Sequence, residues 1–380
     1  MRAAPAQPGD SLDAIDTPAL VVDLDAMERN LAAMAMFARA HGLRLRPHAK
    51  THKCAAIARL QVAAGAVGVC VQKVSEAEAL ADAGITDLYI SNEVIAPAKL
   101  ARLAALAGRV TLAVAVDSPL GVQRLADALK AAGTRADVFV EIDVGQGRCG
   151  VAPAAAGALA LQVVSHGLPD RGMRFAGLQA YHGRAQHLRH PAEREAAIHH
   201  AVTLVRAAQA SITSAGITCP LVTGAGTGSF VHEAVSGVYG ELQPGSYLFM
   251  DADYARNEMA PHAPRFEQAL FVKSQVISRG ASHAVVDAGH KSHAIDSGLP
   301  TVWSPTGDAV PVFGNGGDEH GLLLAHGTAR LPALGETVWL VPGHCDPTVN
   351  LYDHLVGVRG GLVAGRVETV WPVDARGALS

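Results

Sequence analysis

Lys50 stands in the run Arg46-Pro47-His48-Ala49-Lys50-Thr51-His52-Lys53, directly after the alternating segment Leu43-Arg44-Leu45-Arg46. Alternation of that kind reads as a strand, and a lysine at its end can face a pocket. A free lysine amine titrates near about 10.4 and is a poor nucleophile; burial beside other cations lowers that value and prepares the amine for a Schiff base. Arg46, His48 and Lys53 can supply the cationic field. The same run also fits a solvated basic loop, and only the rest of the chain separates the two readings.

A second cluster is the turn Thr223-Gly224-Ala225-Gly226-Thr227-Gly228-Ser229, followed by Gly245-Ser246-Tyr247. Glycines let backbone N–H groups close around an anion, and the hydroxyls of Thr227 and Ser246 can add donors. A tight corner explains the same glycines. A dinucleotide fingerprint is disfavoured, because the turn sits late in the chain and joins no ordinary dinucleotide-binding half; a mononucleotide-sized phosphate suits it better. A third cluster is Pro342-Gly343-His344-Cys345-Asp346-Pro347-Thr348. In an extended segment residues i and i+2 share a face, so His344 and Asp346 can hold one ion while Cys345 points away. Imidazole plus carboxylate suits manganese, magnesium, cobalt or zinc, although two such residues also form an ordinary hydrogen-bonded pair.

Further polar groups fall where strands are expected to end. They include Glu141 to Gly150, with Arg148 placed to polarise a bound ring, and Gln179 to Gly183, with Tyr181 placed to stack or hydrogen-bond. Gln72, ending another apolar run, is a candidate contact to the same ligand. His187 lies within plausible reach of a substrate hydroxyl, and Asp318-Glu319-His320-Gly321 is a more remote contributor. A surface ion pair, a core-edge tyrosine and a loop histidine are the plain alternatives.

The elements that must position these groups are strands alternating with helices. Eight short apolar runs occur between about 43 and 250: Leu43 to Pro47, Ala66 to Gln72, Asp87 to Ser91, Val110 to Val116, Asp137 to Val144, Arg174 to Tyr181, Pro220 to Thr223 and Leu242 to Met250. Amphipathic segments such as Ser75 to Ala83, Pro119 to Ala132 and Ala192 to Ala215 separate them. Eight units favour a closed (β/α)₈ barrel over an open sheet. A strand over Ala19 to Asp23 and a helix over Ala26 to His41 precede it, and after Phe266 strands such as Leu270 to Ile277 follow without helices. The expected division is an N-terminal segment (1–24) packing with the β domain, a barrel (25–265) and a β-rich domain (266–380).

Composition limits the partners. The 380 residues are 49% hydrophobic and 17% charged, enough to bury a large core, and a net charge of -4 spread along the chain argues against nucleic acid or an anionic membrane as the main partner. Five scattered cysteines without CxxC spacing indicate neither a disulfide framework nor a thiolate zinc cluster. The first ten residues lack an apolar signal core, so a reducing cytoplasm is the expected location.

Taken together, Arg46 to Lys53, Gly147-Arg148-Cys149-Gly150, Gln179 to Gly183, the Thr223 loop, Asp318 to Gly321 and His344 to Thr348 resemble the D-threonine aldolase and D-serine dehydratase family across nearly the whole chain. The resemblance implies a fold type III pyridoxal 5'-phosphate enzyme, similar to alanine racemase, in which a β domain, usually that of the partner subunit of a homodimer, completes the site. It maps the cofactor lysine onto Lys50, ring contacts onto Arg148 and Tyr181, phosphate contacts onto Thr223, Gly224, Gly226, Thr227, Gly245, Ser246 and Tyr247, and metal ligands onto His344 and Asp346. Dehydratase members resemble an HxC pattern with zinc; here the third residue is Asp346, which favours manganese, magnesium or cobalt. Asp296-Ser297-Gly298-Leu299-Pro300 also looks like the 3-hydroxy-D-aspartate aldolases.

The expected activity is therefore cleavage of a D-configured 3-hydroxy amino acid to glycine and an aldehyde, with His187 taking the hydroxyl proton. Dehydration to a 2-keto acid and ammonia is the alternative chemistry. A non-catalytic pyridoxal phosphate carrier is the alternative class, and the β domain and the HxD motif argue against it.

Overall fold

The computed structural model describes residues 4–167 and 171–380, so the first three residues of the expected N-terminal segment lie outside the described ones. After a 3₁₀ turn at Leu12–Ala14 come β1 (Ala19–Asp23) and α1 (Leu24–Ala40). Asp23 ends the strand and caps the helix: its carboxylate accepts from the backbone N–H groups of Asp25 and Ala26 at 3.0 and 3.1 Å, satisfying donors that a helix start leaves open.

Eight parallel strands follow: β2 (Arg44–Leu45), β3 (Val69–Val71), β4 (Asp87–Glu93), β5 (Thr111–Val116), β6 (Arg135–Glu141), β7 (Gly172–Ala180), β8 (Val222–Gly224) and β9 (Glu241–Leu242). Helices α2 (Ala55–Ala63), α3 (Val74–Asp82), α4 (Pro97–Leu106), α5 (Pro119–Ala132), α6 (Ala156–Ser165), α7 (Pro191–Ser214) and α8 (Phe230–Val235) run between them. The strands pair in the order β2-β9-β8-β7-β6-β5-β4-β3. Val67 N–H donates to the Leu45 carbonyl at 2.9 Å and Cys70 N–H to that of Pro47 at 2.8 Å, joining the two ends of the row. The (β/α)₈ barrel expected from the eight apolar runs is thus formed.

Period-2 alternation sorts the strand side chains. Leu88, Ile90, Val114, Val138 and Leu178 face outward and pack with Leu103, Leu125, Val163 and Val205 of the helices. Tyr89, Ala113, Ala115 and Phe139 fill part of the interior. The rest of the interior is polar and hydrogen-bonded: Tyr89 Oη donates to Gln179 Oε1 at 2.9 Å, Gln243 Nε2 to Thr223 Oγ1 at 2.7 Å, Thr223 Oγ1 to Glu241 Oε1 at 2.9 Å and Arg46 Nε to Glu241 Oε1 at 3.2 Å. Burying such groups is tolerated because each finds a partner.

The remainder is β-rich: β10 (Leu270–Arg279), β11 (His283–Val286), β12 (Thr301–Val302), β13 (Val312–Asn315), β14 (Gly321–Leu324), β15 (Thr337–Val341), β16 (His354–Arg359) and β17 (Arg366–Pro372), with short helices α9 (Cys345–Val349) and α10 (Gly361–Ala364). β1 joins this sheet, antiparallel to β10 and parallel to β16. Among the described residues no helix is long and apolar enough to cross a membrane.

Two segments depart from expectation. The run Leu242 to Met250 is a strand only at its start; Ser246–Leu248 forms a single 3₁₀ turn, and Tyr247, Leu248 and Phe249 are buried against α1 and the β-rich sheet. Apolar content alone does not distinguish a buried strand from a buried turn. The His344–Asp346 segment is not extended. Only His344 has strand geometry, and Cys345 opens α9.

Candidate active site

At the mouth of the barrel, where strands end and loops begin, lies a cavity of about 200 Å³. Lys50, Gln72, Arg148, Tyr181, Gly226, Thr227, Gly245 and Ser246 of the sequence-predicted set line it, and His48, Thr51, Ser91, Gln179, Gln243 and Tyr254 complete it. A larger groove of about 690 Å³ between Trp303 and Trp339 holds none of the predicted residues.

Lys50 Nζ sits 3.0 Å from Asp346 Oδ2, and its side chain is 41% exposed. The cationic field expected from the sequence is absent. Arg46 turns into the barrel toward Glu241 and Asp87, while Lys53 pairs with Glu76 at 3.2 Å and donates to Asn350 at 3.0 Å. The Asp346 carboxylate outweighs burial and pushes the Lys50 amine up to about 12. Burial alone would raise the Asp346 carboxyl, but the charges of Lys50 and His344 more than offset it and hold it at about 2. The second oxygen of Asp346, Oδ1, is buried with no partner among the described residues. Such an orphan acceptor is what a bound cation would satisfy.

His48 aligns the lysine turn. Its Nδ1 accepts from the Lys50 N–H at 3.3 Å, and its Nε2 lies 2.9 Å from the Gln72 amide and 3.2 Å from the Ser91 hydroxyl. Burial, then the nearby Lys50 charge, hold this imidazole well below its usual pKa, so it is neutral and no cation. On the opposite wall the Arg148 guanidinium lies 5.7 Å from the centre of the Tyr181 ring, and among the described residues it makes no hydrogen bond or ion pair. It is available to a ligand. Asp143 shapes its loop by accepting from the N–H groups of Gly145 and Gly147 at 2.9 and 3.0 Å.

The glycines form a cradle that side chains would fill. A Cβ on Gly226 would lie 2.5 Å from Gln186 Oε1, and one on Gly245 2.6 Å from Thr51 Oγ1. Thr227 Oγ1 accepts from the Tyr247 N–H at 2.9 Å, tying the two loops together. Three predicted phosphate contacts fall elsewhere. The Tyr247 ring is fully buried in the core beside Phe266, and its hydroxyl accepts from Gln61 at 3.4 Å. Thr223 points into the barrel interior, and Gly224 provides close approach to Ala180 within the sheet. The glycine spacing was informative about the loop; side-chain direction within it was not.

His344 lies next to Asp346 on the α9 start, with Nδ1 2.6 Å from Asp296 Oδ2 and 3.4 Å from Ser297 Oγ. Cys345 does point away, as its Sγ reaches the Met250 carbonyl at 3.4 Å. His187 is outside the cavity lining but its ring is 5.2 Å from that of Tyr254, which lines it. Its Nδ1 is 2.6 Å from Asp253 Oδ2, an orienting contact that sequence reasoning missed. The polar stretch Asp251-Ala252-Asp253-Tyr254 immediately after an apolar run was the available signal. Asp318 pairs with His290 and Lys291 at 2.6 and 3.2 Å on the exposed β13–β14 turn and does not line the cavity.

Fold and site together define a barrel enzyme that presents a lysine, itself paired with a carboxylate, to one small polar cavity. Residues 22–253 match the alanine racemase N-terminal domain, and residues 269–358 match the putative serine dehydratase domain. The chain is 47% identical over 375 residues to D-threonine aldolase of Arthrobacter sp., covering 98% of this chain and 96% of that one. It is 43% identical over 380 residues to 3-hydroxy-D-aspartate aldolase of Paracoccus denitrificans (strain Pd 1222), covering 98% and 95%. The crystal structure of D-threonine aldolase from Filomicrobium marinum superposes with a TM-score of 0.94 at 50% identity, over 99% of this chain and 100% of that one. The chain belongs to the D-threonine aldolase and D-serine dehydratase family, whose members join an alanine racemase-type barrel to a serine dehydratase domain.

Proposed function

We propose that the protein is a carbon–carbon lyase that cleaves D-3-hydroxy amino acids, of the D-threonine or 3-hydroxy-D-aspartate type, to glycine and an aldehyde. The observation that carries this reading is the 3.0 Å approach of Lys50, on the cavity wall, to Asp346, which sets the proposed cofactor lysine against the carboxylate of the proposed metal motif. The residues present fit both groups. The glycine cradle has no room for side chains, the Arg148 guanidinium is unengaged, and Asp346 Oδ1 is an orphaned buried acceptor.

Lys50 would carry pyridoxal phosphate, with Gln72, Arg148, Tyr181, Gly226, Thr227, Gly245 and Ser246 around it, and His344 with Asp346 would hold the divalent ion. When bound, the cofactor supplies an electron sink and the ion a Lewis acid. Arg148 and Tyr181 fix the orientation of what enters the cavity. Asp253, acting as acceptor, keeps the proton of His187 on Nδ1 and leaves Nε2 free to take the substrate's β-hydroxyl proton. Loss of that proton lets the Cα–Cβ bond part as the aldehyde forms.

A carboxylate rather than a thiolate at position 346 favours manganese, magnesium or cobalt over zinc. The barrel (25–265) and the β domain (266–380), with segment 1–24 packed on the latter, are the working units of a cytoplasmic homodimer. The decisive experiment measures aldehyde and 2-keto acid side by side from D-threonine, D-serine and 3-hydroxy-D-aspartate. Glycine plus aldehyde is expected from a β-hydroxy D-substrate, with L-isomers inert; chelation should stop cleavage and leave the cofactor's visible absorbance in place, whereas Lys50→Ala should abolish both. A 2-keto acid and ammonia as main products would establish the dehydratase reading instead.

A further inference from the structure

Away from His344 and Asp346, a second set of ligand-type side chains converges at the ends of three neighbouring strands. Glu93 is the last residue of β4, Asp117 follows β5, and Cys149 lies in the loop after β6. One ligand atom from each lies within 4.8 Å of the others. A register shift between Ile90 and Glu93 interrupts β4 there, the kind of bulge that re-aims a side chain at a barrel rim. Oxygen and sulfur ligands about 2.0 to 2.3 Å from a tetrahedral ion are within about 4 Å of one another, so a small closing movement suffices.

The charge around this set is unbalanced. Among the described residues Glu93 Oε1 is buried with no partner, and Asp117 accepts from the Gly150 N–H at 3.2 Å. Behind them Glu141, 4% exposed, faces Asp117 and shares a hydrogen bond with Glu93, and burial followed by the Glu93 charge raises its pKa. Among the described residues Arg148, adjacent in sequence to Cys149, forms no ion pair with any of these acids. Part-buried carboxyls this close together and paired with no cation share protons or bind an ion.

We propose that Glu93, Asp117 and Cys149, backed by Glu141, form a second divalent-cation site that ties the ends of β4 and β5 to the Arg148 loop. Two carboxylates and a thiolate suit a borderline-soft ion of the zinc class, in contrast to the harder His344–Asp346 pair. Binding an ion would displace the proton of the Cys149 thiol, because the thiolate is the ligand. The site is independent of which reaction the cavity performs.

The test uses the holoenzyme, stripped with chelator and titrated with cadmium as a spectroscopic substitute for zinc, with bound metal counted after desalting. Wild type should show a thiolate-to-cadmium charge-transfer band in the ultraviolet. Cys149→Ser should lose the band and one equivalent of cadmium, whereas His344→Ala should keep the band. Glu93→Gln, which leaves the thiol in place, should weaken cadmium binding at least about tenfold, roughly one lost charge-assisted ligand. No band in wild type, a band undiminished in Cys149→Ser, or wild-type affinity in folded Glu93→Gln would each refute the site, leaving an acid cluster that shares protons.

Discussion

His187 gains its chemical character from Asp253. Burial alone would raise the Asp253 carboxyl, but hydrogen bonds from Arg189, Arg256 and His187 more than offset it, so the carboxylate is a permanent acceptor for His187 Nδ1. A histidine held in this way exposes its basic Nε2 in one orientation. His187→Ala is expected to lower kcat by about 10² to 10⁴, the usual worth of a positioned general base, while the cofactor's visible absorbance persists. Asp253→Asn should lower kcat in the same direction by less. Retained turnover in His187→Ala would assign the proton to another group. The Lys50–Asp346 pair belongs to the same scale, for the carboxylate that keeps the free amine charged is the one proposed to hold the ion.

The Gly224–Ser229 loop depends on a chain of side chains beneath it. Gln186 Oε1 accepts from the Gly228 N–H at 2.9 Å, Gln186 Nε2 donates to Ser229 Oγ at 2.7 Å, and Ser229 Oγ donates to Glu233 Oε1 at 2.7 Å. Within the loop Ala225 adopts φ +67°, a strained conformation for a residue with a Cβ, which the surrounding bonds must enforce. Gly226→Ala would press a methyl group against Gln186; overpacking of about 1 to 3 kcal/mol corresponds to roughly 5- to 150-fold weaker cofactor binding, measurable by absorbance titration. Unchanged affinity would show that the loop yields.

Glu233 adds a pH dependence to that element. Burial pushes its carboxyl from 4.5 up to about 7, the Ser229 hydrogen bond opposing only in part. The folded state therefore holds this proton more tightly than the unfolded chain, and the stability it contributes is full below about 4.5 and lost as pH rises through about 7. Glu233→Gln should accordingly become more stable relative to wild type across that window, by at most about 3 kcal/mol near pH 8. Melting temperatures at about pH 5 and pH 8 check this. A gap of the same size at both pH values would contradict it.

At the scale of the whole molecule, barrel and β-rich sheet share apolar surface. Leu20 and Val22 of β1, Met27 and Met34 of α1, and Tyr247 and Phe249 after β9 belong to one buried cluster with Leu270, Val272 and Leu340. Removing residues 266–380 would expose at least six of these side chains, at about 1.5 to 3 kcal/mol each, a sum comparable to the entire stability of a domain. A chain ending at residue 265 is expected to be insoluble or to lack a cooperative melting transition. A sharp transition for the isolated barrel would show that the two units fold independently.

The βα alternation from β2 to β9, the lysine at the end of the first barrel strand, the glycine cradle and the β-rich second half were all legible in the sequence. Their signals are local: apolar period, turn residues and order along the chain. Family resemblance added the cofactor and the reaction class. Side-chain direction and long-range pairing were not legible. That Arg46 and Lys53 would turn away from Lys50, that Asp346 would meet it and raise its pKa, that Tyr247 would fill the core and that Asp253 would orient His187 were decided only when segments far apart in the chain were packed together. The physical reason is that a buried charge or ring takes whichever partner or space the closed barrel leaves for it, and that choice is made in three dimensions.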